Sequence, residues 1–144
     1  MSWPPRITVA TVVRRGQTYL MVEEEDNQQR VINQPAGHLE QNETLLEAAV
    51  RETLEETAWR VSLTGLVGIY QYYSAHNDTT YLRFCFAAEA IKAEARDLDP
   101  DIIAAHWLTK AEIIARPQRS PLVLQSIEDS QKGTLISLDN IQQF

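Results

Sequence analysis

Cysteine is almost missing from this 144-residue chain: Cys85 stands alone, so no disulfide can form within it. That suits a reducing compartment. Cys85 lies in the apolar run YLRFCFAA, which reads as a buried, inert thiol rather than a nucleophile. No apolar run approaches the length of a membrane span. The N-terminal MSWPPRITVATVV runs straight into RRGQT without the small-residue cleavage site of a signal peptide. Internal repeats and low-complexity stretches are absent. Basic charge is scarce too: 13 Lys and Arg stand against 20 Asp and Glu, a formal net charge of −7. A protein whose main partner is nucleic acid needs the opposite balance. Together these absences lead to the expectation of a soluble cytoplasmic protein, with neither nucleic acid nor membrane as partner. An acidic protein still takes an anionic substrate when metal ions supply the positive charge.

What is present describes an ordinary globular chain, 44% hydrophobic and 23% charged. Its length suits one domain, residues 1–144, with a real core. ITVATVVRR and TYLMVEE, β-branched and alternating around a GQ turn, predict a hairpin. DNQQR reads as a polar loop, VINQ as a short strand, and PAG as a turn leading into an acidic helix. Asn42 is the expected N-cap of that helix, with Glu43 in its first turn. VSLTGLVGIYQYY and TTYLRFCFAAEA predict two longer strands joined by SAHND. IKAEARDLDPD reads as a polar connector before a strand at IIAAHWL. TKAEIIAR predicts a short helix with Thr109 and Glu112 at capping-box spacing. RSPLVLQSIEDSQ predicts another, with Ser120 as N-cap and Pro121 at its first position. The layout is mixed α/β, of the α+β type.

The acidic segment GHLEQNETLLEAAVRETLEETAW holds six glutamates between Gly37 and Trp59. On a helix, Glu52, Glu55 and Glu56 fall within an arc of roughly 100°. Leu46, Val50, Thr53 and Leu54 occupy the opposite arc and are the expected core face, while Ala48 and Ala49 leave room beside the carboxylates. Like charges at this spacing each cost a few tenths of a kcal/mol, on the order of 0.2–0.5, on an isolated helix. Two readings of that cost stand side by side. The cluster is either a solvated face or a site for hard divalent cations, which take oxygen ligands and keep several waters.

The same residues resemble the signature of the Nudix hydrolases, G-x5-E-x7-R-E-U-x-E-E-x-G-U with U aliphatic. Gly37, Glu43, Arg51, Glu52, Glu55 and Glu56 match it in register across 23 residues. PAGHLE, LRF and RSPL are similar to the NudJ-type phosphatases within that family, though far less specific. Three positions depart from the signature: Thr53 and Trp59 replace aliphatic residues, and Ala58 replaces the glycine after the helix. If that position needs φ > 0, alanine there costs about 1 kcal/mol.

The resemblance implies a mixed β-sheet sandwiched between helices and Mg²⁺-dependent hydrolysis of a diphosphate-containing small molecule, with Mn²⁺ as a substitute. It implies metal ligation by Glu52, Glu55, Glu56 and the Gly37 carbonyl, and a general base among the glutamates, with Glu52 preferred. Arg51 would orient a carboxylate and Glu43 would form a structural ion pair. Nucleoside di- and triphosphates and thiamine-type pyrophosphates are the implied substrates, with ADP-ribose or another nucleoside diphosphate derivative as the alternative. A monomer or a homodimer fits equally.

Softer candidates keep two readings each. Arg83 either meets a phosphate or pairs with an acid at a sheet edge. Tyr70 and Tyr72 either stack on a ring or pack in the core. His38 is either a contact beside Gly37 or an exposed loop residue, and Glu112 is either a cleft acid or the capping-box partner. Rival functions are a nucleotide-sensing Nudix domain without catalysis and a module whose acidic helix binds a basic partner.

Overall fold

Gly16, at φ 60°, turns the chain between β1 (Arg6–Arg15) and β2 (Thr18–Asp26). The two strands pair antiparallel at Arg14↔Tyr19 and Arg15↔Thr18, so the expected hairpin is present. This computed structural model describes residues 3–144. β2 continues into β3 (Gln29–Asn33) through Asn27 and Gln28, both at positive φ. That is the backbone a two-residue hairpin turn requires, so most of the expected DNQQR loop is strand and turn. β4 (Ala36–His38) lies where a turn was expected, pairing antiparallel with Thr8–Ala10 of β1.

β5 (Trp59–Ser74) and β6 (Thr79–Ala93) form a long antiparallel pair, and β6 runs parallel to β1 from Arg6 to Val13. β7 (Ile102–Thr109) pairs with β2. The sheet is therefore mixed, in the order β3-β2-β1-β6-β5, with β4 on β1 and β7 on β2. Beyond Arg14 and Arg15, β2 parts from β1, and β4 fills the place beside Thr8–Ala10.

α1 (Leu45–Thr57) covers one face through Ala48 and Ala49, against Val9, Leu66 and Phe86. α3 (Leu122–Gln131) covers the other through Val123 and Ile127, which pack with Ala10, Met21, Ile32 and Cys85. The sheet thus lies between helices, as expected. α2 (Lys110–Ile114) starts at Thr109 with the expected capping box to Glu112. α3 starts one residue later than expected. Pro121 holds the cap position, and Ser120 Oγ still accepts from the Leu122 N–H at 3.2 Å. Among the described residues no helix is long and apolar enough to cross a membrane.

The core face of α1 agrees with the expected one only at Thr53. Ala48, Ala49, Thr53, Glu56 and Thr57 are its buried residues. Leu46, Val50 and Leu54 are half-buried and line a surface groove with Val61, Leu63 and Leu138. The helix lies so close to β1 and β5 that only small side chains fit beneath it, which displaces the leucines to its flank.

Candidate functional site

The cap of α1 is Thr44, not Asn42. Thr44 Oγ1 accepts from the Glu47 N–H at 3.0 Å, and Glu47 Oε1 accepts from the Thr44 N–H at 2.9 Å. This reciprocal pair satisfies two orphan donors, whereas Asn42 sits at φ 66° in the preceding turn. Glu43 therefore lies outside the helix. It is free to accept from the Glu40 N–H at 3.0 Å and from both Nε and Nη2 of Arg51.

Arg51 is the hub of the cluster. Besides Glu43, it donates to Glu52 at 2.7 Å, to Glu55 at 3.2 Å and to the His38 carbonyl at 3.1 Å, and it lies 3.6 Å from Glu40. These partners raise its pKa above that of an ordinary guanidinium, led by the hydrogen bond to Glu43. The same bond holds Glu43 below the usual carboxylate range. The ion pair between Glu43 and Arg51 is the one the resemblance implies.

Gly37 is required by close approach. A Cβ at this position would fall inside the Glu52 carboxyl group, so only glycine lets that side chain lie along β4. The three box carboxylates do not project alike. Glu55 is the most exposed and Glu52 is half-buried against Gly37. Glu56 turns inward and accepts from the Ala36 N–H at 2.9 Å. Burial pushes the Glu56 pKa up to about 8, and the nearby charges of Glu52, Glu24 and Asp99 push the same way. Burial also raises Glu52, against the pull of Arg51.

Asp99 is the neighbour of the acidic cluster that sequence reasoning missed. Its N–H donates to the Glu55 carbonyl at 2.8 Å, which brings the DLDPD connector across the last turn of α1 and adds a fourth acidic group. The acid-rich connector is the one local signal for it.

Hard oxygen donors with a glycine cradle suit divalent cations. Among the described residues, however, no three acidic, His or Cys side chains converge as a finished cage. Arg51 explains this. It bonds to Glu52 and Glu55, while Glu56 takes its own donor from β4. The oxygen donor set fits a divalent cation.

The departures from the signature are each accommodated. Thr53 donates to the Ala49 carbonyl at 2.8 Å, so the 2.8 Å contact between its Oγ1 and that of Thr11 takes its proton from Thr11. The buried hydroxyl pair replaces an aliphatic contact. Ala58 adopts φ 63°, ψ 19°, as expected for the position after the helix, and its N–H donates to the Leu54 carbonyl. Trp59 meets Trp107 edge to face at 5.4 Å, and the Arg15 guanidinium lies 5.2 Å from Trp59 and 4.0 Å from Trp107. Tyr70 is a packing residue. Its hydroxyl donates to Asp129 at 2.6 Å, and its ring lies on the α3 core. Tyr72 shares that strand face, opposite Tyr81 and half-buried. The His38 side chain is exposed, so this residue joins the cluster through its carbonyl. Glu112 is occupied by its capping box.

The Nudix domain model matches residues 4–127. Phosphatase NudJ of Escherichia coli is 41% identical over 142 residues, spanning 97% of this chain and 92% of that protein. The Shigella flexneri phosphatase NudJ matches equally. Among solved structures, a NUDIX hydrolase from Nitrosomonas europaea superposes with a TM-score of 0.94 at 41% identity, over 98% of both chains. The NUDIX domain of Shewanella oneidensis NrtR, complexed with ADP ribose, shares the fold at a TM-score of 0.72 and 18% identity, over 90% of this chain and 88% of that one. With the whole signature cluster in place on that fold, the chain belongs to the Nudix family and is a hydrolase of phosphoric anhydride bonds.

Proposed function

We propose that this protein, acting as a single Nudix domain, is an Mg²⁺-dependent phosphatase of nucleoside di- and triphosphates and thiamine-type pyrophosphates. One observation carries the reading: Glu52, Glu55 and Glu56 stand on one helix beside the Gly37 cradle, with Arg51 bonded to the first two. The similarity to phosphatase NudJ supports the substrate class.

Glu52, Glu55 and Glu56, with the Gly37 carbonyl, would hold the divalent cations. Bound cations supply positive charge against the phosphoryl oxygens and lower the pKa of water at the site. The remaining work falls to the protein. Arg51, anchored by Glu43 and the His38 carbonyl, keeps Glu52 and Glu55 in place without carrying the reaction itself. Glu52 accepts the proton of the attacking water, since burial already makes it more basic than an ordinary glutamate. Tyr72 flanks the organic group, and the imidazole of His38 lies at the rim beside Gly37.

The test is a substrate panel of nucleoside di- and triphosphates, thiamine pyrophosphate and ADP-ribose, with Mg²⁺ or Mn²⁺ and in excess EDTA. Released orthophosphate and pyrophosphate are scored separately. Turnover of the phosphoanhydride substrates with metal, and none in EDTA, is expected. Full turnover in EDTA, or nucleotide binding without turnover, would refute the reading, the second in favour of a sensor domain. The Glu55→Gln variant should lose on the order of 100-fold or more in activity, as for a lost ligand.

A further inference from the structure

Arg83 stands on β6 between Thr8 of β1 and Tyr70 of β5, with Tyr81 and Cys85 on the same strand face. Cys85 is wholly buried in the core beneath α3, so the Arg83 side chain rises from the edge of that apolar cluster. Its Nη1 is closed off from solvent and has no hydrogen-bond partner in the protein. Among the described residues it makes no ion pair.

The neighbouring acids do not remedy this. Glu24 and Glu56 lie close enough to be felt by Arg83, as does the cation of Arg119. Yet Glu24 already accepts from Arg119 at 2.8 Å and from the Asn33 amide at 3.3 Å. Glu56 already accepts from the Ala36 N–H. Arg83 as a whole keeps part of its surface exposed, but a buried donor nitrogen left without a partner is costly. In a chain with a net charge of −7, acids are plentiful, and none is placed on Nη1.

We propose that Arg83 is the receptor for a phosphate of the substrate, its guanidinium donating to a phosphoryl oxygen from the sheet side, opposite the α1 carboxylates. The diphosphate is then gripped from two sides, by the metal-loaded carboxylates and by a guanidinium. This deepens the proposed function and rests on it. Arg119 is held instead by Glu24 and Asp26. The organic group then extends along Tyr72 and Tyr81, on the same strand face as Arg83.

The experiment compares the parent with Arg83→Met, Arg83→Gln and Arg83→Lys. Calorimetry with the non-hydrolysable methylenediphosphonate at saturating Mg²⁺ should show Kd weakened about 10- to 100-fold for Met and Gln, the scale of one hydrogen bond to a charged group. Lys should recover part of the loss. Thermal melts in EDTA without ligand supply the second readout. A structural arginine would make Arg83→Met melt lower, whereas loss of an unpaired buried charge leaves Tm unchanged or raises it by up to about 5 °C. Unchanged Kd in Met and Gln, or a Tm that falls in all three variants, overturns the assignment. If the parent itself fails to bind methylenediphosphonate with Mg²⁺, the proposed function has failed. If the parent binds and the variants bind equally, only the role of Arg83 has.

Discussion

Removing the metal should make this fold sensitive to pH through one side chain. Glu56 is 9% exposed, and in the metal-free protein burial raises its pKa from 4.5 to about 8. A carboxyl group whose folded pKa is raised holds its proton in the native state after the unfolded chain has released it. Its full contribution to stability is present below the unfolded value and is lost as pH rises through the folded one. The window therefore runs from about pH 4.5 to about pH 8. At about 1.4 kcal/mol per unit the ceiling is roughly 5 kcal/mol. Water entering around the carboxylate and the nearby Arg83 guanidinium reduce it, so about 2–3 kcal/mol is the working expectation. For a chain of this size that is roughly 5–10 °C in Tm. Glu52 shifts in the same direction, also through burial, and adds to the slope. Glu56→Gln keeps the acceptor for the Ala36 N–H and cannot ionise. In EDTA, thermal melts of the parent should decline steadily from pH 5 to pH 8.5, while the variant declines much less and is the more stable protein at the upper end. With Mg²⁺ present, the parent should regain stability by mass action and the variant should regain far less. Equal slopes for the two proteins in EDTA would refute the reasoning, because the buried carboxyl would then not be the group that titrates.

Three further outcomes follow from the geometry. Ala58→Gly should be neutral or stabilising by at most about 1 kcal/mol in denaturant melts, since Ala58 sits at φ 63° and the gain is partly cancelled by a freer unfolded chain; a clear loss would contradict it. Thr53→Val alone should cost about 1–3 kcal/mol by stranding the buried Thr11 hydroxyl, Thr11→Val should cost less because Thr53 keeps the Ala49 carbonyl, and the double variant should cost less than the sum, by urea titration of the cycle. Arg51→Lys should bind Mg²⁺ and still lose activity, because an ammonium cannot reproduce the fork to Glu43 and the contacts to Glu52, Glu55 and the His38 carbonyl; parental turnover would show that charge alone is enough.

The signature cluster was legible because its information is local: one glycine and one helix set the spacing of Gly37, Glu43, Arg51 and the three box glutamates. The left-handed backbone at Ala58 was legible for the same reason, as the end of that helix. The helix start was misread because Asn42 and Thr44 are both good caps, and only the reach of Glu47 back to the Thr44 N–H decides between them. The core face was misread because side-chain size was taken as a guide to depth. Close packing on β1 and β5 reverses it, burying Ala48 and Ala49 and leaving Leu46, Val50 and Leu54 on the flank. Asp99 and the orphaned Nη1 of Arg83 depend on segments that meet only after folding, so no local pattern reports them.

The stack of Arg15 on Trp59 and Trp107 has a mechanical consequence. It sits at the end of the sheet where β1 and β2 are still joined, and it ties β5 to β7 across that join. From there the two halves of the sheet splay like the covers of a book, with the stack at the spine and Arg83, opposite Thr8, near the open edge. Seven residues separate Arg15 from Thr8 along β1, a lever of about 23 Å at the rise of an extended strand. A change of only about 5° at the spine therefore moves the open edge by about 2 Å, enough to make or break a hydrogen bond there. The opening between the two halves of the sheet thus depends on three side chains that lie at its far end.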